Sequence, residues 1–427
     1  MIILVVLAAI ILPIIAHRHY KKWINPVSIL VIPHCASMLM LLGSNFLDKN
    51  LSAVTYTSFF ALLMIYTIGT YFGSRVKINT KNRLLNFKPI RIRIVPFIVV
   101  ISLIVDVIVL LYIRDIQSSY GIMNAFLNLS DYNLFLQNEG INSSFGIAVF
   151  LAIPWSLILQ SCMKCVPEIR ERLGLKIFII LEFVLCFIPF VSARRSTLVL
   201  MIVMNLFLFY LSSNKERKHN YKRFFIIVGV IYIILLFFSV TQQMMNKEST
   251  IHMTCFGITI PRILVDIFGY FAGNYKYLDA VLKQGLPKVD VPFISTFRVA
   301  YIYLSNLLNW SIDTTTPFAL RFLEIGNGAI GYHFNTTSIQ YYFMLDSGVL
   351  YYLEILLMGF LSGYMYNKLK KESKIRNFCL CAFQFTVVFM SFREYDLIFL
   401  SNIIPLIVFW IFGAFRFVDK NREPIEI

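Results

Sequence analysis

The feature that most constrains this chain is an apolar run that keeps recurring: stretches mostly 16–22 residues long, almost free of charge, from residue 2 to residue 415. A helix crosses a bilayer core of about 30 Å in about 20 residues. Only helices and closed barrels satisfy their backbone in lipid, and barrel strands alternate polar with apolar residues. These runs do not alternate. The expected fold class is therefore all-α, a polytopic membrane helical bundle of about 11 spans with a large, partly helical non-cytoplasmic loop. Spans are expected near 2–16, 26–45, 52–73, 94–113, 144–163, 176–191, 196–212, 224–241, 344–366, 376–392 and 396–415. Composition excludes a soluble globule: 58% of residues are hydrophobic and 15% charged, against about 45–50% and 25% in soluble domains.

A net charge of +16 would point to nucleic acid in a soluble protein. Here the charge sits in short loops. Residues 17–22, 74–93, 164–176, 214–223, 367–376 and the tail from Arg416 hold 27 of the 39 Lys and Arg, so that face is cytoplasmic. The N-terminus is then outside and the C-terminus inside. Residues 2–16 lack a basic start and a small-residue cleavage site and read as a first span. Three segments follow: 1–241, a membrane bundle of about 8 spans; 242–343, a large outer loop; 344–427, a bundle of 3 spans with a short cytoplasmic tail. Of seven cysteines only Cys255 falls in the outer loop, which argues against a disulfide framework. Cys162 and Cys165 form a lone C-x-x-C without the second pair a metal site needs.

The outward set holds seven arginines outside any orientation cluster: Arg114, Arg194, Arg195, Arg262, Arg298, Arg321 and Arg393. Guanidinium forks match phosphate oxygens two at a time. Arg194 and Arg195 lie in the tight turn Ser192–Ser196; the plainer reading is that they snorkel to lipid head groups. Arg262 precedes Gly273 by eleven residues, and Asp266 at i+4 offers it an ordinary ion pair. Arg298 and Arg321 have Glu324, Asp313 and His333 nearby in sequence, which suits an anionic ligand with a proton acceptor, or a salt-bridged loop. Arg393, between the last two spans, has Glu394 and Asp396 as candidate partners. The loop is rich in aromatics, Tyr270 and Tyr301 among them, and 261–282 and 292–310 read as amphipathic helices. Asp106, Glu182 and Glu354 fall inside spans as isolated acids, a poor basis for a proton relay. Gly359 and Gly363 form a G-x-x-x-G packing face. No phosphate loop, H-E-x-x-H or G-x-S-x-G occurs, and the six histidines are scattered.

This arrangement resembles the oligosaccharide repeat-unit polymerases of bacterial surface polysaccharide assembly, the Wzy-type O-antigen and capsule polymerases. The resemblance covers most of the chain. It rests on the span number, the arginine turn at Ser192–Ser196, the large loop before the last three spans, the Arg262–Gly273 spacing, and the stretch Phe334-Asn335-Thr336-Thr337-Ser338-Ile339 through Asp346-Ser347-Gly348. It implies a metal-independent membrane glycosyltransferase without cofactor, in a multi-pass bacterial cytoplasmic (inner) membrane location, with the loop on the periplasmic or extracellular side. Its substrates would be polyprenyl-diphosphate-linked oligosaccharides of lipopolysaccharide or capsule synthesis, carried on a lipid such as undecaprenyl diphosphate. Membrane lipids and a chain-length regulator are the further implied partners, and nucleic acid is not one. In that reading Arg194, Arg262, Arg298 and Arg321 stabilise the departing diphosphate, with His333, Glu324 or Asp313 as base. Arg195, Arg393, Tyr270, Tyr301 and Gly273 bind substrate. A flippase of lipid-linked sugars would favour evenly spaced spans and short loops; an O-antigen ligase shares the loop architecture; a scaffold leaves the outward arginines unexplained.

Overall fold

The computed structural model describes residues 1–77, 91–119, 121, 143–186, 195–211, 253–261, 264–327, 331–372, 374–395, 400–412 and 416–418. Among these the chain is mostly helical, and five helices are long and apolar enough to cross a membrane: Ile2–Tyr20, Pro26–Gly43, Ala53–Arg75, Ile94–Asp115 and Ile339–Lys371. Shorter apolar helices lie at Val199–Leu211, Ile375–Met390 and Ile403–Phe412. The expected span at 224–241 and the boundary at 241/242 lie outside the described residues.

The helices, in chain order, are α1 (Ile2–Tyr20), α2 (Pro26–Gly43), α3 (Ala53–Arg75), α4 (Ile94–Ser119), α5 (Ser143–Cys165), α6 (Pro167–Glu171), α7 (Leu173–Leu185) and α8 (Arg195–Leu211). Then come α9 (Val265–Gln284), α10 (Arg298–Leu308), α11 (Ile339–Ser347), α12 (Tyr351–Lys371), α13 (Ile375–Met390) and α14 (Leu400–Phe412). Six short strands accompany them: β1 (Arg91–Arg93), β2 (Thr254–Cys255), β3 (Ile258–Thr259), β4 (Leu323–Glu324), β5 (His333–Phe334) and β6 (Arg416–Val418). The packing divides into two units interleaved along the chain. The first comprises Met1–Lys77, Ser249–Asn367 and Val387–Leu400; the second comprises Ile78–Glu248, Lys368–Thr386 and Ser401–Ile427.

In the first unit α2 is the centre, with α1 and α9 packed against it. It starts where it does because Asn25 caps it: the side-chain oxygen accepts from the Val27 and Ser28 amides, both at 3.0 Å, and Pro26 opens the first turn. Lipid tails are as apolar as leucine, so helices in a bilayer are held by close backbone approach and hydrogen bonds. Between α3 and α12 the approach is made by glycines on both sides. A Cβ at Gly359 or Gly363 would strike the carbonyl oxygens of Tyr66 or Thr70, and one at Gly69 or Gly73 would strike those of Leu356 or Phe360.

The described residues between 253 and 338 are themselves structured. β2 and β3 form a hairpin whose turn residues, Phe256 and Gly257, both have positive φ. β4 pairs antiparallel with β5. The helices expected at 261–282 and 292–310 occur as α9 and α10. α9 is tied to the start of α3 by Asp279, whose Oδ1 accepts from the Ser52 amide at 2.7 Å and the Thr55 hydroxyl at 2.8 Å. Asp279 Oδ2 faces Lys283 at 2.7 Å and Lys276 at 3.8 Å, and Lys276 also meets Asp48 at 2.5 Å. Asp346 in turn receives the Ser295 amide, the Thr296 amide at 3.0 Å and the Thr296 hydroxyl at 2.7 Å, which fixes the approach to α10.

In the second unit α5 packs against α4, α7 and α8. Trp155 donates to the Ser102 hydroxyl at 3.2 Å, and Gln160 to the Asn205 carbonyl at 3.2 Å. β1 pairs in parallel with β6 and brings Phe417 against Phe97 and Phe412. The seven cysteines are free.

Candidate functional site

The first unit concentrates buried polar side chains where α11 begins. Ser338 is its N-cap residue, yet the hydroxyl makes no capping bond. The Ile339 amide instead donates to the Ser391 carbonyl at 2.8 Å, which holds the turn 391–393 against the head of the helix. Behind that turn Phe392 stacks on Phe271 of α9, with ring centres 4.3 Å apart. The Arg393 guanidinium lies over the Tyr270 ring at 4.8 Å, a cation–π contact.

Beneath this head runs a chain of hydrogen bonds with a fixed direction. Ser391 donates to the Val388 carbonyl at 2.6 Å, so its oxygen is left to accept from His34 Nε2 at 2.9 Å. His34 Nδ1 is then an acceptor and takes the Tyr275 hydroxyl at 2.6 Å. The Gln340 amide nitrogen donates to the Tyr275 oxygen at 3.3 Å. All four side chains are fully buried. Burial also pushes the Tyr275 phenol far above its ordinary range, so it stays a donor.

Buried polar atoms are nearly always paired, and exceptions call for a reason. Here they cluster: Thr336 Oγ1, Thr337 Oγ1, Ser338 Oγ, Gln340 Oε1, Asn274 Oδ1 and Arg393 Nε have no partner among the described residues. Thr337, Ser338, Gln340 and Asn274 are 0% exposed. Three hydroxyls and a guanidinium are donors of the kind that bind phosphate or sugar oxygens.

The residues singled out in the sequence distribute as follows. Arg393 and Tyr270 come together. Glu324 and His333 are cross-strand partners on β4 and β5, both exposed. Arg298 donates from Nε to the Thr314 carbonyl at 2.9 Å and stacks on Phe318 at 4.5 Å, an anchor within its own segment. Arg321 is exposed, and its carbonyl accepts the Tyr277 hydroxyl at 2.7 Å. The Tyr301 hydroxyl donates to the Pro292 carbonyl at 3.0 Å. Gly273 leaves room for the Phe334 ring, which a Cβ would meet at 2.9 Å. Asp313 is taken up by its own turn: hydrogen bonds from Thr316 and Thr315 hold its carboxyl far below the usual range, which leaves it a poor base. Arg194 and Arg262 lie outside the described residues, as do the side chains of Arg195 and Asp266 and all of Asp396.

Of the three acids read as isolated, Glu354 accepts a hydrogen bond from the Ser347 hydroxyl. His34, Asn274, Gln340 and Ser391 were also missed. The legible signal was the Asn-Thr-Thr-Ser run before a helix, where polar residues serve as caps. Comparison with known proteins finds no matching family model, no matching curated relative and no matching solved structure.

Proposed function

We propose that this chain is a membrane glycosyltransferase that polymerises polyprenyl-diphosphate-linked oligosaccharide units at the outer face of the cytoplasmic membrane. The observation that carries the reading is the group of unpartnered buried donors at the head of α11: Thr336, Thr337 and Ser338, together with Arg393. In the reaction a hydroxyl of one unit attacks the anomeric carbon of the other. The bond from that carbon to the diphosphate oxygen breaks, and the lipid diphosphate departs with the electron pair. Negative charge grows on the departing oxygen, and preorganised donors in a water-poor site stabilise it. Arg393, held flat by Tyr270, and the three hydroxyls supply such donors. The acceptor proton passes to the Glu324–His333 pair on the β4–β5 hairpin. Aromatic rings such as Tyr270 offer faces for sugars.

The test is purified protein in lipid vesicles with a synthetic polyprenyl-diphosphate oligosaccharide, followed by electrophoretic sizing of products. Chains longer than the input unit are expected. Arg393→Ala should cut the rate by about 10²–10³, the usual loss on removing one charge-stabilising donor. Arg393→Lys should also be impaired, because the planar fork and its stacking on Tyr270 are lost. Absence of any longer product from a folded wild-type protein would refute the proposal.

A further inference from the structure

α10 is built the reverse way round from a helix on a water-facing surface. Such a helix turns its apolar stripe to the core and its polar face out. Here no residue of Arg298–Leu308 is buried. The polar side lies toward the protein. Arg298 is half-buried, donates to the Thr314 carbonyl at 2.9 Å and stacks on Phe318 at 4.5 Å. The Phe318 ring in turn lies parallel to Tyr342 of α11, with centres 6.3 Å apart. The apolar side is turned out. With about 3.6 residues per turn, Tyr303, Leu304, Leu307 and Leu308 fall on one arc, away from Arg298. Phe297 precedes them and Trp310 follows; all six are exposed, Leu307 by 78%.

This arc continues a second apolar surface. The stretch Ile339–Lys371, which contains α11 and α12, is long and apolar enough to cross a membrane. Leu353, Leu357 and Leu361 form an exposed stripe along α12 at a spacing of four, the face such a helix shows to lipid. At the head of the stripe the turn Gly348–Leu350 exposes Val349, by 83%, and Leu350. Asp346, three residues before Val349, fastens the approach to α10 at this point. Its carbonyl accepts the Phe293 amide at 3.0 Å, and its carboxylate holds both the amide and the hydroxyl of Thr296. The exposed rings of Phe293 and Phe297 therefore flank the same hydrogen-bonded knot as Val349 and Leu350.

We propose that α10 is a membrane-docking helix whose outward arc rests in the bilayer surface, beside the head of α12, with lipid as its partner. Interfacial helices bury an apolar face about 5–10 Å into the boundary between head groups and acyl chains. Tryptophan and tyrosine suit that depth, since each joins an apolar ring to a polar edge; Trp310 and Tyr303 stand there. A second copy of the chain fits less well. A stable protein interface takes about 20–30 residues a side, and this arc offers six large side chains. Lipid sets no such minimum, and it already adjoins the arc along α12. The docking is separate from sugar transfer and stands without that reading.

The test photolyses the full-length protein in lipid vesicles with an apolar diazirine that partitions into the bilayer. Its carbene inserts into side chains within reach, and mass spectrometry locates the adducts. Adducts on Leu304, Leu307 or Leu308 are expected at yields comparable with those on Leu353 and Leu357 of α12. The exposed Lys288, which lies off this surface, should carry none. Absence of adducts from residues 303–310 would overturn the proposal. Equal yields on α10 and Lys288 would do so too, because the reagent would then be reporting surface open to water. A third outcome against it is a disulfide between copies that carry Leu307→Cys in an otherwise cysteine-free chain, formed in high yield and undiminished by added lipid. That result would give the face to a second copy. The first two outcomes are read on the unaltered chain and do not depend on the variant folding.

Discussion

Asp279 shows how much one buried carboxylate can carry. It is 0% exposed and joins α9 to the start of α3 through Ser52 and Thr55 while facing two lysines. Burial by itself would raise its carboxyl, but the bonds from Lys283, Ser52 and Thr55 hold it at about 2. Its folded value lies below the unfolded one of about 3.9. Its stabilisation is therefore complete above about pH 4 and lost as pH falls toward 2. Asp279→Asn should lower stability at pH 7 by about 2–3 kcal/mol, because charged hydrogen bonds are lost. It should also flatten the fall in thermal midpoint between pH 4 and pH 2, measured in detergent. Equal midpoints for variant and wild type at neutral pH would remove this role. Residue chemistry was legible in part. Arg393 and Tyr270 could be named from the sequence because an arginine outside an orientation cluster stands out. His34 and Asp279 could not, since their partners Tyr275, Ser391 and Ser52 are 241, 357 and 227 positions away.

At the scale of elements, apolar run length located the helices among the described residues that are long and apolar enough to cross a membrane. α1 to α4 fall on the first four expected spans, because a bilayer imposes a length on any helix that crosses it. Packing partners were only half visible. Gly359-x-x-x-Gly363 was read as a contact face, but its counterpart Gly69-x-x-x-Gly73 carries no mark that assigns it to α12. Small residues permit close approach without saying to what. Because both sides meet backbone rather than a movable side chain, Gly359→Val should destabilise by about 1–3 kcal/mol. Gly363→Val should do the same, and the two together should not add fully, since both act on one contact. Thermal unfolding and protease susceptibility in detergent would report it; unaltered curves would mean that α3 and α12 do not rely on this approach.

For the whole molecule, loop charge predicts an orientation that remains to be tested: the 27 Lys and Arg of the short-loop set inside, and the segment between 242 and 343 outside. In a cysteine-free background, Lys288→Cys, at an exposed position, should react with a membrane-impermeant thiol reagent added to intact cells stripped of their wall. Lys218→Cys, in a positive loop, should react only after the membrane is opened. The reverse pattern would put the proposed site on the wrong face for a lipid-linked sugar delivered outside. The division into two interleaved units was not legible. Periodicity and charge report each segment against lipid and water, whereas the units arise from contacts between segments hundreds of residues apart.

Those long separations bear on how the chain is made. His34 waits for Ser391, 357 positions later, and Arg91 for Arg416, so each unit is closed by residues far downstream of those it begins with. Domains usually fold as the ribosome releases them, N-terminal first. Neither unit here can close in that way, and the early spans enter the bilayer with polar groups whose partners have not been translated. Each unit therefore closes only after the segments between its partners have been made, and a product truncated before Ser391 would hold the early helices but neither finished unit.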